Sequence, residues 1–151
     1  MLTFVVCVGA TTGWYLFRPR FSRAVEEENI MEAVFRYQIA EERSPEGKGV
    51  IFLSVAQDMD PSDDFMRRLA EMPVVRKISQ ANKRGDGVTD KQTGERGIIL
   101  DVHRLEWISD AEVRVAVGTY AWGWGQSGSV CRVVHQTDKW VVQVCELTFI
   151  T

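Results

Sequence analysis

Histidine and cysteine are scarce in this chain: two of the first, His103 and His135, and three of the second, Cys7, Cys131 and Cys145. No C-x-x-C pair occurs, so the cysteines cannot assemble a structural zinc site on their own. Two histidines limit an imidazole-based metal centre as well. A basic excess is also missing. Eighteen lysines and arginines stand among twenty-one acidic residues, for a net charge of −3, and neither sign forms a large block. A nucleic-acid surface needs a concentrated positive field, so no nucleic-acid partner is expected. Prolines number four, and no repeat or low-complexity segment is present. What remains is ordinary globular composition, 45% hydrophobic and 26% charged over 151 residues. That is enough for one domain with a core and too little for two.

Residues 2–17, "LTFVVCVGATTGWYLF", carry no charge and run straight into "RPRFSR". Sixteen residues make a helix of roughly 24 Å, slightly short for a bilayer core. Trp14 and Tyr15 suit a membrane interface, and Arg18, Arg20 and Arg23 suit its cytoplasmic side. A secretory signal would carry its positive charges before the apolar run, where only Met1 stands. The expectation is a single-pass N-terminal membrane anchor with a basic flank over 1–23, and one α+β domain over 24–151. A buried strand and a clipped piece of a longer signal segment are the alternatives for residues 2–17, and the side of the membrane on which the domain lies is left open.

The stretch 24–43 has Ile30, Val34 and Tyr37 at helical spacing, widened by Met31, Phe35 and Ile39, which predicts an amphipathic helix. Glu26, Glu27 and Glu28 suit its first turn, and Glu32 can pair with Arg36. "VIFLSV", residues 50–55, reads as a strand. In "DMDPSDDFMRRLAEMP", Asp58, Asp60 and Ser62 imitate the start of a calcium loop, but Asp63 replaces its glycine and Leu69 its terminal glutamate. Capping explains the segment better: Asp60 as N-cap, Pro61 in the first turn, pairs Asp63–Arg67 and Asp64–Arg68, and Phe65, Leu69 and Met72 facing inward. From residue 74 the period becomes strand-like. "VVRKIS", "IILDVHRLEWIS", "AEVRVAVGTYAWGWG", "SVCRVVHQ" and "KWVVQVCELTFI" are five strands, with the polar loop 82–97 able to hold a hairpin of its own. Short spacers imply antiparallel neighbours.

Gly123, Gly125 and Gly128 spell G-x-G-x-x-G, extended by Val130 to the form of a kinase glycine loop. A dinucleotide site requires a helix after the glycines, and here an alternating strand follows. A kinase requires its lysine strand and catalytic loop downstream, and too little chain remains for them. The glycines are therefore expected at a hairpin, with no cofactor.

Two registers compete for the last two strands. With Thr137 and Asp138 at the turn, one puts Cys131, Val133 and His135 on one face with Trp140, Val142 and Val144, and Arg132 opposite Gln143. The neighbouring register would set Cys131 opposite Cys145 but mix the faces. Segregation favours the first, so no Cys131–Cys145 disulfide is expected. Carried across "GQSG", the same reasoning places Tyr120 beside Val133 and Trp122 beside Cys131. Val113, Val115 and Val117 then fall on the opposite parity, which asks for a bulge near Gly118 or for cover on both faces.

A long helix followed by a curved antiparallel meander resembles the cystatin-like cone folds, in particular the nuclear-transport-factor-2-like superfamily, over residues 24–151. The likeness rests on element order and on no motif. It implies a helix packed on a cone-shaped sheet, with members that include isomerases and dehydratases and others that are non-catalytic binding domains. Dimerisation through the sheet is common in that type of fold, so a homodimer is one implied partner.

The candidate catalytic residues are Asp101 and His103, two apart on one strand so that the carboxylate can orient the imidazole, together with His135. Plain alternation on a solvent-facing side explains "DVH" equally. The candidate ligand-binding set is Tyr120, Trp122, Trp124 and Trp140. The favoured expectation is a membrane-tethered binding or interaction domain without catalysis, whose partner is a small molecule or protein. The alternative is a small isomerase or lyase using Asp101 with His103 or His135.

Overall fold

The computed structural model describes residues 22–42, 49–72, 74–84, 87–121 and 125–150. Helix α1 spans Arg23–Glu41 and buries Ile30, Val34, Phe35, Gln38 and Ile39; four of these belong to the expected stripe, while Met31 and Tyr37 are only partly buried and Gln38 turns inward. Glu32 and Arg36 pair at 2.9 Å. Strand β1, Val50–Val55, follows, and then the six-residue helix α2, Asp63–Arg68. The cap of α2 is Ser62, whose Oγ accepts from Phe65 N at 3.0 Å, and not Asp60. Asp60 instead accepts from Ser79 N at 2.8 Å. The expected ion pairs are redistributed: Asp64 meets Arg67, Asp63 meets Lys77, and Arg68 meets Glu28 and Glu32 of α1. Phe65 and Leu69 are buried, with Met72 packed beside them. Short β2, Val75–Lys77, leads through a 3-10 turn, Ile78–Gln80, into a separate hairpin of β3, Ala81–Arg84, and β4, Gly87–Asp90.

The long strands come last: β5 Gly97–Ser109, β6 Glu112–Ala121, β7 Gly125–Gln136 and β8 Lys139–Ile150. The main sheet has the order β2-β1-β5-β6-β7-β8. Strands β5 to β8 form the expected antiparallel meander, but β1 pairs parallel with both β2 and β5. The sheet is therefore mixed, and β1 is internal. Burial on both faces is what its unbroken apolar run reflects.

Two cores result. On the helix face, α1 and α2 cover Ile51, Leu53, Leu100, Val102, Val113, Val115, Val117, Cys131, Val133 and Trp140. On the outer face, Val50, Phe52 and Ile99 pack with Ile78, Ala81 and Val88, and Tyr120 leans against them. The domain is α+β with a curved, strand-rich sheet.

The register of the β6–β7 hairpin differs from the expected one. Val115 pairs with Cys131, Val113 with Val133 and Tyr120 with Gln126. Gln126 to Gly128 are strand, not turn. The odd valines of β6 therefore already share the helix face, while Tyr120 belongs to the outer face. Beyond Gly128, β7 continues to Gln136 with no helix following. Gly125 has φ +83°, and Gly128 is a notch: a Cβ there would lie 2.8 Å from Cζ of Phe149. Those two backbone needs account for two of the three fingerprint glycines.

The last hairpin corrects another expectation. Cys131 and Cys145 are joined by a disulfide, with Cα atoms 4.0 Å apart. Near the turn the face-segregating register holds, Val133 opposite Val142 and His135 opposite Trp140. Beyond it Gln143 is skipped, and Arg132 faces Val144. A bulge lets one strand use both registers, which reasoning on a whole regular strand excludes.

Candidate functional site

A cleft of about 410 Å³ opens on the outer face, lined by Gln57, Asp58, Lys83, Ile99, Asp101, His103, Gly118, Tyr120 and Gln126. Strand β5 supplies its centre. Val102 pairs with Val117 and Arg104 with Ala116, so His103 is an extra residue in the ladder. Before this bulge Leu100 and Val102 face α1, and after it Leu105 and Trp107 do. The inserted His103 is thereby left on the outer face beside Asp101. The bulge is on β5, not on β6 near Gly118 where the expected register asked for one; in the observed register the valines of β6 need none.

His103 Nδ1 approaches Asp101 Oδ2 at 2.8 Å, with the side chains 31% and 14% exposed. The contact is a close approach and not an aligned hydrogen bond: Nδ1 and Asp101 Oδ1 are both buried without a hydrogen-bond partner. Neither group is therefore on a plain solvent-facing strand side. Gly118, cross-strand partner of Asp101, seats the imidazole, since a Cβ there would lie 2.6 Å from Nε2. Gly118 pairs in turn with Gly128, over which the Phe149 ring lies. The two rings thus stand on one face over neighbouring strands, above a floor of two glycines.

The opposite wall comes from the turn after β1. Ala56, Gln57 and Asp58 all have positive φ, 46°, 65° and 72°. Three consecutive left-handed non-glycine residues are costly, about 1–3 kcal/mol each, and persist only where the surroundings enforce them. Here Ala56 N donates to Val102 O at 2.9 Å and Asp58 N to Ser54 Oγ at 2.9 Å. The result aims Gln57 and Asp58 at the cleft, where Asp58 pairs with Lys83 of the β3–β4 hairpin. Backbone strain of this kind gathers at ligand sites.

Of the sequence candidates, Asp101, His103 and Tyr120 are brought together here. His135 and Trp140 are not. Their rings meet edge to face, 5.1 Å apart, on the far side of the sheet. There they border a groove of about 450 Å³ with Glu26, Asn29, Glu32, Ala33, Arg36, Asp138 and Lys139. Trp140 is mainly structural: it is buried, its Nε1 donates to Glu26 Oε2 at 2.6 Å, and it packs edge to face on Trp107. Trp122, Trp124 and residues 2–17 lie outside the described residues. Sequence reasoning missed Gln57, Asp58, Lys83, Gln126, Gly118 and Phe149. The left-handed turn has no glycine or asparagine to advertise it, and the two notches show only as glycines inside strands.

Comparison with protein-family models, curated proteins and solved structures finds no match to this chain.

Proposed function

We propose that this chain is a binding domain that takes a small polar ligand in the outer-face cleft. The supporting observation is the convergence of Asp101, His103 and Tyr120 with a strained turn that delivers Gln57 and Asp58 to the same place. Donors and acceptors of both signs, an aromatic edge and the glycine at Gly118 suit a compact hydrogen-bonding molecule better than a lipid or a nucleic acid. An NMR screen of small polyols, amines and carboxylates tests this. Binders should shift the ring signals of His103 and Tyr120, and Asp101→Asn with Tyr120→Phe should weaken them at least tenfold. A screen in which no fragment at millimolar concentration moves either ring sinks the proposal.

A pocket enzyme is the second reading, carried by the 2.8 Å Asp101–His103 approach. There His103 would act as base with Asp101 as its positioning residue. The missing alignment and the open cleft favour binding. The finer cone shape of the cystatin-like type belongs to this proposal too, supported by α1 lying across the curved meander. So does a membrane tether. No helix among the described residues is long and apolar enough to cross a membrane, so the tether rests on residues 2–17 alone. Carbonate extraction of the chain with and without them tests it, and equal release of both forms overturns it.

A further inference from the structure

Strand β8 holds different registers along its length. From the turn outward, Gln136 pairs with Lys139, His135 with Trp140, Val134 with Val141 and Val133 with Val142. Gln143 is then skipped, giving Arg132–Val144, Cys131–Cys145 and Ser129–Leu147. Thr148 is skipped next, giving Gly128–Phe149. Two local devices secure the shifted segment. The disulfide fixes the first skip. At the second, Thr148 Oγ1 donates to Gly128 O at 2.8 Å and the Phe149 ring fills the Gly128 notch. Among the described strands β8 pairs with β7 alone, so no second ladder holds it.

The competing arrangement is the unbulged register of the turn. Continuing the register of the turn would set Val144 opposite Cys131, Gln143 opposite Arg132, Glu146 opposite Ser129 and Phe149 opposite Gln126. Val144, now 44% exposed, would move to the helix face against buried Cys131. Leu147, now 60% exposed, would give up little burial. Removing the bulges restores regular ladder bonding; residues 144–147 slip by one and exchange faces, while Phe149 and Ile150 slip by two and keep theirs.

We infer that the Cys131–Cys145 disulfide is a redox-controlled register lock. Closed, it holds Phe149 over Gly128. Opened by a dithiol, which delivers two electrons and two protons to the S–S bond and ends as a disulfide itself, it leaves two thiols. The segment from Gln143 onward then slides into the unbulged register, and Phe149 moves to Gln126. The shift is two residues, roughly 6.6 Å along the strand. Gln126 is the cross-strand partner of Tyr120, so the ring arrives at that end of the cleft. This last consequence rests on the proposed binding function, whereas the register change does not.

The test uses the full chain carrying Cys7→Ser, so that only the one pair remains. Adding Val144→Cys with Cys145→Ser offers Cys131 a partner that faces it only in the unbulged register. Oxidised glutathione should link the introduced thiol to Cys131, seen as a joined peptide after non-reducing proteolysis, to within twofold of the yield in the Cys7→Ser parent. No linkage, while the parent closes fully, overturns the lock. Hydrogen exchange on the parent with and without dithiothreitol gives a second reading. Altered protection confined to residues 141–150 supports the lock. Unchanged protection, or loss throughout the sheet, overturns it. For the cleft, a fragment that binds the oxidised chain should bind at least fivefold more weakly after reduction. Unchanged affinity beside a changed exchange pattern removes the coupling and keeps the lock. The absence of any binder to the oxidised chain counts against the cleft alone.

Discussion

Gly97 on β5 faces β1 and Gly118 on β6 faces β5; both would place an added methyl in contact with something, yet the two contacts differ in kind. At Gly97→Ala the new Cβ meets Val50 O well inside van der Waals distance, with Phe52 Cε2 at 2.8 Å. Val50 is the parallel-ladder partner of Gly97, and Phe52 is fully buried. Neither can retreat alone, so β1 and β5 must part. Loss of one or two ladder hydrogen bonds at about 0.5–1.5 kcal/mol each, with overpacking of about 1–3 kcal/mol, gives a destabilisation of about 3–4 kcal/mol. At about 2–4 °C per kcal/mol for a chain of this size, the melting temperature should fall by about 6–16 °C. At Gly118→Ala the obstacle is the tip of His103, 2.6 Å away and partly exposed. The imidazole can swing out. The cost is the Asp101 contact and a poorly satisfied carboxylate, about 1–3 kcal/mol, offset by about 0.5–1 kcal/mol for replacing a strand glycine. The net loss is about 1–2 kcal/mol, or about 2–8 °C. Calorimetry on both variants, with His103 ring contacts read by NMR, decides the matter. If Gly97→Ala melts within about 3 °C of the parent, or if His103 keeps its contacts in Gly118→Ala, the close packing described here is wrong.

Asp90 is buried and its Oδ1 accepts from Thr93 N at 2.9 Å and Gln92 N at 2.7 Å. These backbone donors, Thr93 first, hold its carboxyl below the usual range. Its stabilising effect is complete above the ordinary aspartate value of about 3.9 and is lost as pH falls through the lower folded value. Asp90→Asn should therefore flatten the acid limb of the stability curve below about pH 4, and an unchanged limb would refute the assignment. Trp140→Phe removes the donor to Glu26. Hydrogen bonds to charged groups contribute about 1.5–3 kcal/mol, and Glu26 is only partly buried, so the lower figure and a fall of about 3–6 °C are expected. A loss below about 1 °C would make that contact incidental.

How much of this was readable in advance varies by element. The α1 stripe and the Thr137–Asp138 turn were legible because each rests on short-range spacing. Both turn residues have positive φ, 45° and 67°, as a two-residue hairpin requires. The parallel place of β1 was not legible. "VIFLSV" reads as a strand but does not show which partners bury both its faces. Glycine misled twice over. Gly128 reads as a turn residue and serves as a seat for Phe149, and Gly118 reads as a bulge while the bulge is at His103 opposite. In the site, the Asp101–His103 alternation was visible, but Gln57, Asp58 and Lys83 reach the cleft only through tertiary contacts. The disulfide was missed because a single register was applied to a strand that changes register at Gln143.

The parallel seam between β1 and β5 also orders events in time. The hairpins from β5 to β8 join neighbours in sequence and can zip up on their own, each within microseconds. Strand β1 must find Gly97 from Val50 with α2 and the β3–β4 hairpin strung between, and such distant pairings close slowly. The left-handed turn at Ala56–Asp58 is anchored to Val102 across that same seam. The cleft can therefore acquire its second wall only once that seam has closed, and a full-length chain refolding from denaturant should form the meander before the cleft.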